Sequence, residues 1–151
     1  MSTRLVLDAW AVLGWLQGEP TGAVVRDLVD WSEGSSSAGQ RVRRAVRGRL
    51  TRPELFINIV NLGEVYYTLG RRRSEGEARA TIEEIRASSI TTLPAPDRLV
   101  LQAAALKVRY TMAYADAFAV ATAMEHGARL VTGDPELRGV TEVPIVWIGR
   151  V

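Results

Sequence analysis

Short apolar runs of strand type alternate along this chain with longer segments of helical period, and that alternation confines it to layered α/β folds with a mostly parallel sheet. The strand candidates are Leu5 to Leu7, Leu55 to Ile57, Ile90 to Leu93, Arg129 to Val131 and Val143 to Ile148. Between them lie helical segments at Trp10 to Gln17, Thr21 to Trp31, Val60 to Leu69, Glu75 to Ala87, Asp97 to Val108 and Tyr114 to His126. Ser74 followed by Glu77 is a capping box for the helix from Glu75, and Gly127 supplies the left-handed residue that ends the helix from Tyr114. The expected fold has three layers, with about five strands between helices. The 151 residues suit a single domain and contain no internal repeat. One stretch interrupts the alternation, an arginine-rich insertion at about residues 33–53. Gly34 to Gly39 is expected there as a flexible loop, followed by a short helix within Gln40 to Arg49.

Composition removes whole classes of chemistry. The chain has no cysteine and one histidine, His126, which excludes thiolate nucleophiles, disulfide scaffolds, Cys/His zinc sites and histidine-based triads. His126 stands at a helix end, where an imidazolium meets the last carbonyls. Leu5 to Leu16 is interrupted by Asp8 and too short to span a bilayer, so the chain is expected to be soluble and cytoplasmic, with no membrane partner.

The formal net charge is only +2, but Arg41, Arg43, Arg44, Arg47, Arg49 and Arg52 form one cluster and Arg71, Arg72 and Arg73 another. Setting those nine charges aside leaves the rest of the chain at −7. An acidic body with two basic patches suits a polyanionic partner such as nucleic acid. The competing reading is two solvated, arginine-rich helix faces.

Four acids occupy unusual places. Asp8 directly follows the first strand, and Asp134 follows the fourth through Thr132 and Gly133, so both fall at the carboxyl edge of a parallel sheet, where α/β folds bind ligands. Glu64 lies in an otherwise apolar helix, one turn after Asn61 and on the same side. Asp116 is embedded in Tyr114-Ala115-Asp116-Ala117-Phe118-Ala119-Val120, where an ionised carboxylate needs a partner. Taken singly, each is a cap, a turn or an exposed helix point. Together they lack basic neighbours, since no Arg or Lys lies within four residues of Glu64 or Asp116. Clustered carboxylates raise one another's pKa unless a cation joins them, and hard divalent ions such as Mg²⁺ or Mn²⁺ do so with oxygen ligands.

Other motifs fail. Gly34 and Gly39 have P-loop glycine spacing, but Gln40 and Arg41 stand where Lys and Ser/Thr belong. No dinucleotide fingerprint occurs. A receiver domain needs a lysine near a late strand, and the only lysine, Lys107, falls inside a helix. A hydrolase with an aspartyl nucleophile commonly has a second Asp where this chain has Trp10. Trp10, Trp15, Trp31 and Trp147 read as core and packing residues rather than a base-stacking platform.

Leu7-Asp8-Ala9, Val60-Asn61-Leu62-Gly63-Glu64-Val65, Tyr114-Ala115-Asp116-Ala117 and Leu130-Val131-Thr132-Gly133-Asp134 stand in the order and approximate spacing of a known family. Over nearly the whole chain the sequence resembles the PIN-domain ribonucleases, specifically the toxins of VapB/VapC-type toxin–antitoxin pairs. The resemblance implies a PIN-like fold and an acidic quartet of Asp8, Glu64, Asp116 and Asp134, with Thr132 supporting the last acid. It departs at Trp10, where the family often has Ser or Thr two residues after the first Asp, and in the length of the arginine-rich insertion.

The reaction implied is hydrolysis of RNA by a metal-activated water, with one or two Mg²⁺ ions held by the quartet and products ending in a 5′-phosphate and a 3′-hydroxyl. RNA would be taken single-stranded or in loops, with Arg41, Arg43, Arg44, Arg47, Arg71, Arg72 and Arg73 contacting its phosphates. The resemblance also implies a homodimer restrained by a small antitoxin. Val24, Leu28, Trp31, Tyr66 and Tyr67 either line that interface or complete the core. Two alternatives stand beside this reading: a PIN nuclease of RNA maturation without antitoxin, and a degenerate PIN module that binds RNA or protein without cleaving.

Overall fold

Leu5, Val6 and Leu7 are all completely buried, although successive strand residues point to opposite faces, so the sheet must be covered on both sides. The computed structural model describes residues 2–149 and shows how this is done. Its five strands are β1 (Thr3–Leu7), β2 (Pro53–Asn58), β3 (Ile90–Leu93), β4 (Arg129–Thr132) and β5 (Ile145–Trp147). They form one sheet in the order β3-β2-β1-β4-β5, with every neighbouring pair parallel. Seven α-helices are described: α1 (Ala9–Leu16), α2 (Gly22–Ser32), α3 (Ser36–Ala45), α4 (Ile59–Arg72), α5 (Glu75–Ala87), α6 (Asp97–Arg109) and α7 (Tyr114–Glu125).

The alternation within β1 divides the core. Leu5 and Leu7 pack with Leu55, Ile57, Val131 and residues of α1 to α5, while Val6 packs with Leu130 and the apolar faces of α6 and α7. This is the three-layer α/β fold expected from the sequence. Ser74 caps α5 through the Glu77 amide, and Gly127 closes α7 at φ +57°. Among the described residues no helix is long and apolar enough to cross a membrane.

Topology locates the site. From β1 the chain crosses to β2 and β3 on one side, then returns to β4 and β5 on the other. The strand order therefore reverses between β1 and β4, which pair through Leu5–Arg129, Val6–Leu130 and Leu7–Val131. A crevice at the carboxyl ends of two such strands is where open α/β sheets take ligands.

The insertion differs from the sequence expectation. The flexible loop at Gly34 to Gly39 is instead mostly helix, because α3 starts at Ser36 with the Ser35 hydroxyl accepting the Ala38 N–H at 3.2 Å. Gly39 serves close packing: a Cβ there would lie 2.6 Å from the Trp31 ring, so only glycine lets α3 approach α2. Val42, Val46 and Leu50 are buried in the core. Leu28 and Trp31, considered for a partner interface, are also core residues, with Val24 and Tyr66 packed against them. Of that group only Tyr67 is exposed, at 50%.

Candidate active site

Asp8 is the first residue after β1 and the N-cap of α1, its Oδ1 accepting the Ala11 N–H at 2.8 Å. Its other carboxylate oxygen accepts the hydroxyl of Thr132, the last residue of the adjacent strand β4. The Thr132 oxygen in turn accepts the backbone N–H of Asp134 at 3.1 Å. One hydroxyl thereby ties the two strand-end acids together. Asp134 then caps a short 3₁₀ turn, Pro135–Leu137, by accepting the Glu136 N–H at 3.0 Å, and this tight turn carries Glu136 back toward the cluster.

The other two acids arrive on helices. The Asn58 side chain caps α4 at the Val60 N–H and donates to the Pro94 carbonyl. One turn before Glu64, Asn61 donates from Nδ2 to the Ala115 carbonyl at 2.9 Å and so pins the start of α7 against α4. Asp116 follows in the first turn of α7, a helix buried continuously from Asp116 to Ala123. The small alanines of this segment let it pass through the interior, and the α7 N-terminus favours the negative charge of Asp116.

Carboxylate oxygens of Asp116, Asp134 and Glu136 lie within 4.8 Å of one another. Burial chiefly, with repulsion from Asp134, Glu64 and Glu136, pushes the Asp116 carboxyl up to about 7. Asp8, fully buried, is also raised to about 7 by burial; its hydrogen bonds from Thr132 and Ala11 oppose this, while Asp116 and Asp134 add repulsion. Glu64 is raised by burial and then by Asp134. These mutual effects place all four predicted acids in one electrostatic cluster, with Thr132 and Asn61 in supporting positions.

Glu136 was not anticipated. Its signal was present in Asp134-Pro135-Glu136, an acidic cap followed by proline at the first position of a turn. Nothing local to the strand pattern makes that second acid face the first.

The cluster fits a hard divalent cation. Every candidate donor is a carboxylate oxygen, and none of these acids takes part in an ion pair among the described residues. Glu64 Oε1 is buried with no hydrogen-bond partner among the described residues. An orphaned anionic oxygen beside three converging carboxylates is costly unless a cation satisfies it.

The basic clusters are less uniform than their sequence suggests. Arg41 pairs with Asp27 at 3.0 Å, Arg43 lies over the Trp31 ring at 4.9 Å, and Arg71 lies over Tyr67 at 5.2 Å. Arg44, Arg47, Arg72 and Arg73 are exposed. Arg71 and Arg72 end α4, with Arg73 as its C-cap, roughly 12 Å beyond Glu64 along the helix axis.

A parallel sheet that gathers carboxylates from the end of β1, α4, α7 and the turn after β4 at its switch point defines an α/β protein built around an acidic cleft. The chain belongs to the PIN domain family, whose profile matches residues 5–143. Its structure resembles that of VapBC-1 from nontypeable Haemophilus influenzae, with a TM-score of 0.67 and 13% identity over 97% of this chain and 98% of that one. DNA-bound VapBC from Salmonella typhimurium gives 0.65 at 13% identity, covering 95% and 96% of the two chains. Mycobacterium tuberculosis VapC20, a toxin that cleaves the sarcin-ricin loop, gives 0.56 at 20% identity, covering 92% and 98%. No curated protein matches the sequence.

Proposed function

We propose that this chain is an endoribonuclease dependent on Mg²⁺ or Mn²⁺ and the toxin of a VapBC-type toxin–antitoxin pair, acting in the cytoplasm as one PIN-like domain. The carrying observation is the convergence of Asp116, Asp134 and Glu136 within 4.8 Å, beside a Glu64 oxygen that is buried and unpartnered. Asp116, Asp134 and Glu136 would hold the ion, with Asp8 and Glu64 facing it directly or through water. A divalent ion bound there supplies a Lewis acid that lowers the pKa of water and offsets charge on a phosphodiester.

The chain's own residues do the positioning. Thr132 fixes the Asp8 carboxylate and the Asp134 backbone together, and Asn61 fixes the α7 segment that carries Asp116. The exposed arginines Arg44, Arg47, Arg72 and Arg73 would draw single-stranded RNA to a cleft that otherwise repels phosphate. Arg41, Arg43 and Arg71 contribute charge from positions already held by intramolecular contacts.

The toxin reading is supported by the resemblance of the fold to VapBC complexes over nearly whole chains, and it carries with it a small antitoxin and a homodimer. The deciding experiment incubates purified protein with single-stranded RNA and Mg²⁺, with a chelator arm, and maps the ends of the products. Cleavage leaving 5′-phosphates, abolished by chelator, is expected. RNA binding without cleavage at any divalent ion concentration would leave a binding module instead. Copurification with the product of a neighbouring small gene separates a toxin from an RNA-maturation nuclease.

A further inference from the structure

The acids account for one side of the carboxyl edge of the sheet. Beside them opens a cavity of about 510 Å³, lined by Trp10, Trp147, Gly133, Pro135, Glu19 and Thr21 among others. Its volume lies in the range of small-ligand pockets. Gly133 and Pro135 flank Asp134 in the chain, and Trp10 is two residues beyond Asp8, so the lining of the cavity is joined through the backbone to two acids of the cluster.

Two indoles form the walls because glycines admit them. A Cβ on Gly133 would meet the Trp10 ring at 2.4 Å, and one on Gly149 would come within 2.8 Å of the Trp147 ring and of the Gly133 backbone. Trp10 and Trp147 are both only half-buried, unlike Trp31 in the core. The Arg138 guanidinium lies 4.5 Å from the centre of the Trp147 ring and brings positive charge to that wall. Glu19, exposed on the rim, has an acceptor-only carboxylate, and Thr21 adds a hydroxyl.

We propose that this cavity receives one nucleobase of the RNA, next to the phosphate held at the acidic cluster, and that its rim prefers guanine. The proposal rests on the nuclease reading for the position of that phosphate. Flat π surfaces of every base stack on indole, which supplies affinity without sequence choice. Sequence choice comes from the rim. Guanine presents two adjacent donors, N1–H and the N2 amino group, to a carboxylate that can only accept. Adenine presents one amino donor beside a ring acceptor, and uracil flanks its single N–H with two carbonyl oxygens that the carboxylate repels. A base rather than a protein side chain is favoured because Gly133 and Pro135, which line the cavity, flank Asp134 of the acidic cluster, so an occupant lies close to the phosphate that such a cluster would hold.

The test is equilibrium binding of three fluorescein-labelled ribohexanucleotides to the intact protein in chelator, read by anisotropy. One is all uridine, one carries a single central guanosine and one a single central adenosine. The guanosine hexamer is expected to bind about tenfold more tightly than the uridine hexamer, with adenosine between them. Trp147→Ala should remove the difference. Where that variant loses its circular dichroism spectrum, Glu19→Gln decides, since it changes an exposed side chain and should reduce the guanosine advantage over adenosine severalfold in a folded protein. Equal affinity for all three hexamers, or an advantage unchanged in Glu19→Gln, overturns the proposal. So does a folded Trp147→Ala that keeps its base preference but no longer binds the small protein encoded beside it, which would give the cavity to a protein partner. Base preference in a protein that cleaves no RNA with Mg²⁺ would sink the nuclease reading and leave the base pocket standing; cleavage without base preference does the reverse.

Discussion

The Thr132 hydroxyl donates to the Asp8 carboxylate across 124 residues of sequence, and the same oxygen accepts the Asp134 N–H. One buried side chain thus orients two acids from different strands. Thr132→Val is isosteric but removes both hydrogen bonds in a site closed to water, and is expected to destabilise the protein by about 1–3 kcal/mol in chemical denaturation. Because the Thr132 hydrogen bond holds the Asp8 pKa down, the variant's pH–cleavage profile should also move to higher pH. Thr132→Ser keeps the hydroxyl and should restore the parent profile. A Val variant with unchanged profile would remove the electrostatic role.

Asp116→Asn takes one negative charge from the crowded cluster while nearly preserving shape. The metal-free variant is expected to melt a few degrees above the parent at pH 8, since repulsion from Asp134, Glu64 and Glu136 is relieved. Cleavage with Mg²⁺ should fall by about 10- to 100-fold, as for loss of a group that supports a metal site. Calorimetry and a cleavage assay on the same preparation check the two halves.

Stability of the metal-free protein should depend on pH in an uncommon direction. Asp8 and Asp116 keep their protons up to about pH 7 when folded but release them near 3.8 when unfolded, and Glu64 shifts the same way. The folded state therefore binds more protons than the unfolded one between those pH values, and unfolding free energy falls as pH rises from about 4 to about 7. Mg²⁺, which binds the deprotonated acids, should restore stability above pH 7 and do little near pH 5. Melting curves at both pH values with and without Mg²⁺ test this; a metal-free protein most stable at pH 8 would contradict it.

Replacing Arg71, Arg72 and Arg73 together by alanine should weaken binding to unrelated single-stranded RNAs alike and reduce the slope of log affinity against log salt by up to about 2. Arg71 already lies over Tyr67, so its share is expected to be the smallest. Filter binding across a salt series gives the slope. An unchanged slope would assign this helix end to another task.

The apolar periods determined the layers, the parallel sheet and most element boundaries, because each depends on residues a few positions apart. The four acids were legible for a related reason. Asp8 and Asp134 follow strands, while Glu64 and Asp116 interrupt apolar helices, and both kinds of position can be recognised within a short window. What remained hidden depends on neighbours distant in sequence. Gly39 looked like loop punctuation, but its missing Cβ makes room for Trp31. Arg41 looked like a free cation until α3 packed against α2 and gave it Asp27. Glu136 became part of the cluster only when a proline turn brought it back beside Asp116. Local sequence determines where a charge can be carried, whereas packing determines whether it meets a counter-charge, another carboxylate or water. That difference sets its pKa and what it can bind.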